Sequence, residues 1–162
     1  MQEPDAAHPL QPSSRPVIVD DRAQALARYP HGRIVGDLFF VSGVSSRRFD
    51  NTHAGVTVHA DGRVEKDIAA QTRAVIENID AILRAGGASL SHVVDITVFL
   101  VDIKDYAGMN AVWNTFFDAH AGPARTTVAV HELPHPNLLI EMKAVAHVPH
   151  LAGAAPHHQG AR

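Results

Sequence analysis

Two short extended runs, His31–Val35 and Leu38–Ser42, flank the turn-forming pair Gly36-Asp37, which predicts a β-hairpin. Val56–His59 and Arg63–Glu65 repeat the arrangement around Asp61-Gly62. The hydrophobic period then lengthens. Ile68, Val75, Ile79, Ile82 and Leu83 fall on one stripe at helical spacing, with Asp67 placed to cap the start and Gly86-Gly87 to supply a left-handed stop. Val93–Val101 is a β-branched run of strand length. Beyond it, Asp102 is placed to cap a second helix whose apolar face holds Tyr106, Met109, Trp113 and Phe116 or Phe117. Thr126–Glu132 and Leu138–Val148 read as two further strands joined by the Pro134-His135-Pro136-Asn137 turn, a closing β-hairpin.

The predicted order is hairpin, helix, strand, helix, hairpin: an α+β sheet with both helices on one face. Its other face still carries apolar side chains and must be covered, and self-association is the simplest cover. Residues 1–28 and 150–162 lack periodicity and are expected to be a loose N-terminal extension and a flexible C-terminal tail around a single domain, residues 29–149.

Composition narrows the chemistry. A chain of 162 residues suits one domain, and 46% hydrophobic with 19% charged residues is ordinary globular composition. A formal charge of -3 offers no basic field for nucleic acid. No cysteine occurs, which removes disulfides, thiolate nucleophiles and cysteine-ligated metals. The first residues carry Glu3, Asp5 and prolines where a secretory leader would be basic and apolar, so the expected setting is the cytoplasm, away from membranes. Twelve histidines are scattered rather than clustered, and His157 and His158 fall in the tail.

One motif suggests zinc. His131-Glu132-Leu133-Pro134-His135 fits HExxH, in which two histidines one helical turn apart bind metal and the glutamate activates water. That geometry requires a helix. Here a β-branched run precedes the motif and Pro134 lies inside it, each helix-interior proline costing about 3 kcal/mol. No metal site is expected.

Arg125 stands at a strand entrance after the rigid Gly122-Pro123 corner. A guanidinium is a permanent cation whose planar fork matches a carboxylate in two parallel hydrogen bonds, although composition alone favors a surface arginine in a salt bridge. In the last strand, alternation sets Glu141 and Lys143 on one face and Ile140, Met142 and Ala144 on the other. Glu141 is therefore either half of a solvated cross-strand pair or a carboxylate positioned to orient water.

The combination of Tyr29, Phe40-Val41-Ser42-Gly43, Asn110 with Phe116-Phe117, the Gly122–Val128 segment and Ile140–Ala146, in this order and spacing, resembles the Rid family of enamine and imine deaminases, also called the YjgF family, over residues 29–148. The resemblance implies a chorismate-mutase-like fold with a mixed six-stranded sheet, a homotrimer, and active sites in the clefts between subunits. By position it implies that Arg125 binds the substrate carboxylate and that Glu141 positions water, with Tyr29, Ser42 and Asn110 lining the pocket. It implies no metal or organic cofactor. Val44 and Thr127 stand where many members have glutamine and cysteine, which points to a pocket tuned to another substrate.

The loop Ser45–Thr52, with its paired Arg47 and Arg48, looks like that of the 2-aminomuconate deaminases. Their substrate has a carboxylate at each end, so Arg47 or Arg48 is expected to hold the second one. A solvated basic loop is the alternative. A general deaminase of 2-imino acids, and a ligand-binding or chaperone-like protein without turnover, are the rival functional expectations.

Overall fold

A computed structural model describes residues 14–149. The expectations for residues 1–13 and for the 150–162 tail lie outside the described residues. Eight strands and two α-helices form: β1 Ser14–Val17, β2 Gly32–Val35, β3 Leu38–Ser45, β4 Val56–Val58, β5 Val64–Lys66, α1 Ile68–Ala85, β6 Val93–Leu100, α2 Tyr106–Trp113, β7 Ala124–Ala129 and β8 Ile140–His147. Six of the strands make one mixed sheet in the order β1-β2-β3-β8-β6-β7, and β4 with β5 stands apart as a separate hairpin.

The first hairpin forms as its alternation predicts, and the chain adds an outer strand to it. Ser14–Val17, in the stretch expected to be loose through residue 28, pairs antiparallel with β2. Val17 is buried there, although Pro16 and its neighbours carry no periodic signal that would mark a strand.

Helix α1 forms where the stripe and the caps place it. The Asp67 carboxylate accepts from the Ala69 and Ala70 amides at 2.8 and 3.1 Å, satisfying two donors of the first turn. At the other end the chain leaves the helix through Gly87, whose φ of 89° suits a residue without Cβ. Val75, Ile76, Ile79 and Leu83 are fully buried against β3 and β8.

Asp102 caps where expected, but what it starts is not yet the α-helix. Its carboxylate accepts from the Lys104 amide at 2.9 Å and starts a short 3-10 turn, Ile103–Asp105, which runs into α2. Helix α2 is then the crossover that two parallel strands require, because β6 and β7 pair in parallel.

The closing hairpin does not form. β7 lies on the outer edge beside β6, whereas β8 inserts between β3 and β6, antiparallel to both. The physical reason is the strand–helix–strand order, which commits β7 to β6 and leaves the center of the sheet to the last strand. Segment 130–139 spans the gap without helix, so His131 and His135 do not share a helical face. His135 instead stacks on His53, ring centroids 4.3 Å apart. Buried Gln71 anchors the segment to α1, donating to the Asn137 carbonyl at 2.8 Å and accepting from the Leu139 amide at 2.9 Å.

The helices cover one face of the sheet. Ile140, Met142, Ala144 and Ala146 of β8 point into that core, joined by Phe39, Val41, Ile96 and Val98. The opposite face carries Leu38, Phe40 and Val128, which are 38, 39 and 40% exposed. No helix among the described residues is long and apolar enough to cross a membrane.

Candidate active site

Chemistry-bearing side chains gather in two places, on opposite faces of the sheet. The first is built on Arg125. Its partner across the parallel ladder is Ile96, a core residue, so Arg125 points to the helix side and reaches α2. Nη1 donates to Asn110 Oδ1 at 2.8 Å, and Nη2 donates to the Tyr106 hydroxyl at 3.1 Å. The guanidinium carbon lies 4.7 Å from the Trp113 ring center and 5.6 Å from that of Tyr106. Every one of these partners is neutral, and Arg125 forms no ion pair among the described residues. It is therefore not a surface arginine in a salt bridge. A hollow beside it is lined by Asn110, Trp113, Asn114, Gly122 and Pro123. Asp118 shapes that corner by accepting from the His120 and Ala121 amides, bonds that hold its carboxyl below the usual aspartate value.

The second place lies around a bulge in β3. Val41 faces Ala144 of β8 and Val44 faces Met142, so Ser42 and Gly43 together oppose the single residue Lys143. The extra residue keeps both valines in the core and turns Ser42 and Gly43 toward the open side. Ser42 Oγ donates to the Pro30 carbonyl at 2.8 Å, which ties the bulge to the segment carrying Tyr29. The Glu141 carboxylate lies where a side chain on residue 43 would be, a position that only glycine leaves open. Glu141 accepts no hydrogen bond from the described residues, and its burial raises its pKa above the ordinary glutamate value. Tyr29, Ser42, Gly43 and Arg47 line one hollow, and Glu141, which packs against Gly43, is not among its lining residues.

Arg47 and Arg48 part company. Arg47 enters the hollow while bonding the Gln24 carbonyl and, at 3.3 Å, Asn51 Oδ1. Arg48 turns back on its own loop, 3.3 Å from both Thr52 Oγ1 and the His53 carbonyl.

The sequence-predicted residues thus form two sets, Arg125 with Asn110 and Glu141 with Tyr29, Ser42 and Arg47. Within one chain the sets do not meet. Arg125 is level with Ala144 across β6, so it lies roughly 10 Å along the strands and about 10 Å across them from Glu141, on the other face. Tyr106 and Trp113, read in the sequence only as an apolar helix face, are the residues that reasoning missed. Their spacing from Asn110 along α2 was the available signal.

Comparison with known proteins shows the family and the fold. The family described as Endoribonuclease L-PSP matches residues 19–148. A RutC family protein of Pyrococcus abyssi is 38% identical over 135 residues, 83% of this chain and 98% of that protein. The 2-iminobutanoate/2-iminopropanoate deaminase of Escherichia coli is 32% identical over 136 residues, covering 82% and 97%. The crystal structure of Escherichia coli TdcF with bound serine superposes with a TM-score of 0.68 at 29% identity, covering 82% of this chain and 98% of that one. With its mixed six-stranded sheet and two helices in the chorismate-mutase-like arrangement, the chain belongs to the Endoribonuclease L-PSP family, the Rid or YjgF family that its motifs resemble.

Proposed function

We propose that the protein is a deaminase that hydrolyses the imine or enamine of a short unsaturated amino acid, in sites completed between copies of the chain in a homotrimer. The observation that carries this reading is the presence of an uncompensated cation, Arg125, and a half-buried, unpartnered carboxylate, Glu141, on opposite faces of one sheet. A second copy laid against the open apolar face would bring its own Arg125 edge to the first copy's Glu141. The Escherichia coli relative is named for imine hydrolysis and TdcF binds an amino acid, which supports a carboxylate-bearing nitrogen compound as substrate.

In this reading a 2-amino-diene acid tautomerises to its 2-imine, whose protonated form is electrophilic at carbon. Arg125 holds the adjacent carboxylate with both forks of its guanidinium. Glu141 takes a proton from water as the oxygen bonds to the imine carbon, passes it to the nitrogen, and takes the remaining hydroxyl proton as the carbon–nitrogen bond breaks and the carbonyl forms. Ammonia and a 2-oxo acid leave. The steps demand no metal or organic cofactor, and the setting is cytoplasmic.

The favored substrate is 2-aminomuconate, hydrolysed to 2-oxohex-3-enedioate, because Arg47 lines the hollow at the β3 bulge and offers a site for a second carboxylate. The second reading, a general deaminase of monocarboxylate imines, is favored by the name of the Escherichia coli relative. Ribonuclease chemistry, the family's other label, finds little support in a net charge of -3.

The test is subunit complementation. Ammonia release is measured from freshly generated 2-aminomuconate and from iminopyruvate, for Arg125→Ala, for Glu141→Gln, and for the two variants unfolded and refolded together. Each variant alone should be inactive, and random assortment should return about a quarter of the wild-type sites. No recovery in verified mixed assemblies would overturn the shared site.

A further inference from the structure

Arg22 lies in the segment between β1 and β2, and the proposed chemistry so far gives it no part. It lines the same hollow as Tyr29, Ser42 and Arg47. Its Nε is buried without an acceptor, and among the described residues its side chain forms no hydrogen bond and no ion pair. Buried charged donors are ordinarily paired, so an unpaired guanidinium beside a hollow is a group presented to something else.

Arg47 shares the hollow and is also without a counter-charge. Its two side-chain bonds go to the Gln24 carbonyl and to the Asn51 amide oxygen, both neutral. No acidic residue lines this hollow. Asp50 and Glu77 line a second, larger hollow that both arginines also border, yet neither carboxylate comes within ion-pair distance of them. The Asp50 carboxylate is engaged by the amide and hydroxyl of Thr52.

The segment bearing Arg22 is held as a wall. His31 Nδ1 accepts from the Val19 amide at 3.2 Å, its Nε2 donates to the Ala23 carbonyl at 3.1 Å, and Arg47 bonds the Gln24 carbonyl. The β3 bulge, with Glu141 against Gly43, forms the other wall.

We infer that Arg22 and Arg47 together form an anion subsite for the far carboxylate of a dicarboxylic substrate, a role that rests on the deaminase reading for which end of the substrate reacts. A carboxylate offers two oxygens with lone pairs for two guanidiniums at once, and the Nη groups of Arg22 and Arg47 are the donors that can reach it. The reacting carbon then lies toward Glu141. Because a monocarboxylate imine lacks the group this subsite takes, the two arginines discriminate between substrates rather than drive the hydrolysis.

The probes are cis,cis-muconate, an unreactive dicarboxylate, and sorbate, its monocarboxylate counterpart, titrated calorimetrically into the full-length protein at low salt. Wild type should bind muconate more tightly than sorbate by about tenfold or more, and Arg22→Gln should abolish that preference with sorbate binding unchanged. Arg63→Gln, on the β4–β5 hairpin, removes the same charge elsewhere and should keep the preference. An absent preference in wild type, or one that survives Arg22→Gln, overturns the proposal. Arg22→Lys keeps the charge without the fork; a partial loss supports the subsite, an undiminished preference overturns it, and this variant carries the test should Arg22→Gln not fold. The deaminase reading fails on a separate result, the absence of ammonia release by wild type from either imine, whatever the muconate titration shows.

Discussion

Glu141 rests its carboxylate directly over Gly43, in the space that any larger residue at 43 would fill with its Cβ. The bulge that exposes Gly43 is thus also the seat of the candidate base. Gly43→Ala should push the carboxylate aside while the strand stays paired. We expect kcat for imine hydrolysis to fall by about 10- to 100-fold, with unchanged circular dichroism. Wild-type turnover in the alanine variant would show that Glu141 has no need of that seat.

Arg125 is held by neutral groups alone, so the bonds around it place the charge without cancelling it. Arg125→Ala should lower kcat/KM by about 100-fold or more, through both constants. Arg125→Lys should recover little, because an ammonium cannot bond Asn110, Tyr106 and a carboxylate in one plane. Asn110→Ala, which frees the guanidinium to wander, should cost about tenfold, mainly in KM.

Burial raises the Glu141 pKa, and two pH effects follow. The acid limb of wild-type kcat/KM should be shifted upward from the ordinary glutamate value. For stability, a raised folded-state pKa means that the folded protein holds this proton more tightly than the unfolded chain does. Its contribution is therefore favorable below the unfolded value and is lost as pH rises through the folded one. Glu141→Gln should raise Tm at neutral pH, with the difference closing as the pH falls below the ordinary glutamate value. A difference that widens toward acid would contradict the assigned burial.

Gln71 is fully buried and uses both ends of its amide to hold segment 137–139. Gln71→Leu leaves the Asn137 carbonyl and the Leu139 amide without partners and should cost about 2–4 kcal/mol, measured by urea unfolding. A cost under about 0.5 kcal/mol would mean that water replaces the amide freely.

The local states of the chain were legible in its residues to a large extent, and the pairing between them was not. Asp67, the apolar stripe and Gly87 mark α1 because caps and period are encoded within one segment. Alternation in 126–132 and 138–148 marks extended chain equally well, yet it says nothing about which strand lies beside which, and the expected hairpin was the wrong pairing. The strand–helix–strand order of β6, α2 and β7 was the usable signal, since only a parallel pair needs a helical crossover. The candidate site divides in the same way. Arg125 and Glu141 stand in motifs, whereas Arg22 lies in a stretch with no period or motif, and only the folded chain brings it to Arg47.

The place of β8 in the sheet also constrains how the protein is made. Strands β1 to β3 and the β6–β7 pair are two separate ribbons until Ile140–His147 arrives to join them. Until Ile140–His147 has been made, the stripe of α1 has no continuous sheet to pack on, so the contacts that complete the core are long-range ones formed late. A chain cut short before Ile140 would hold two ribbons with no strand to join them.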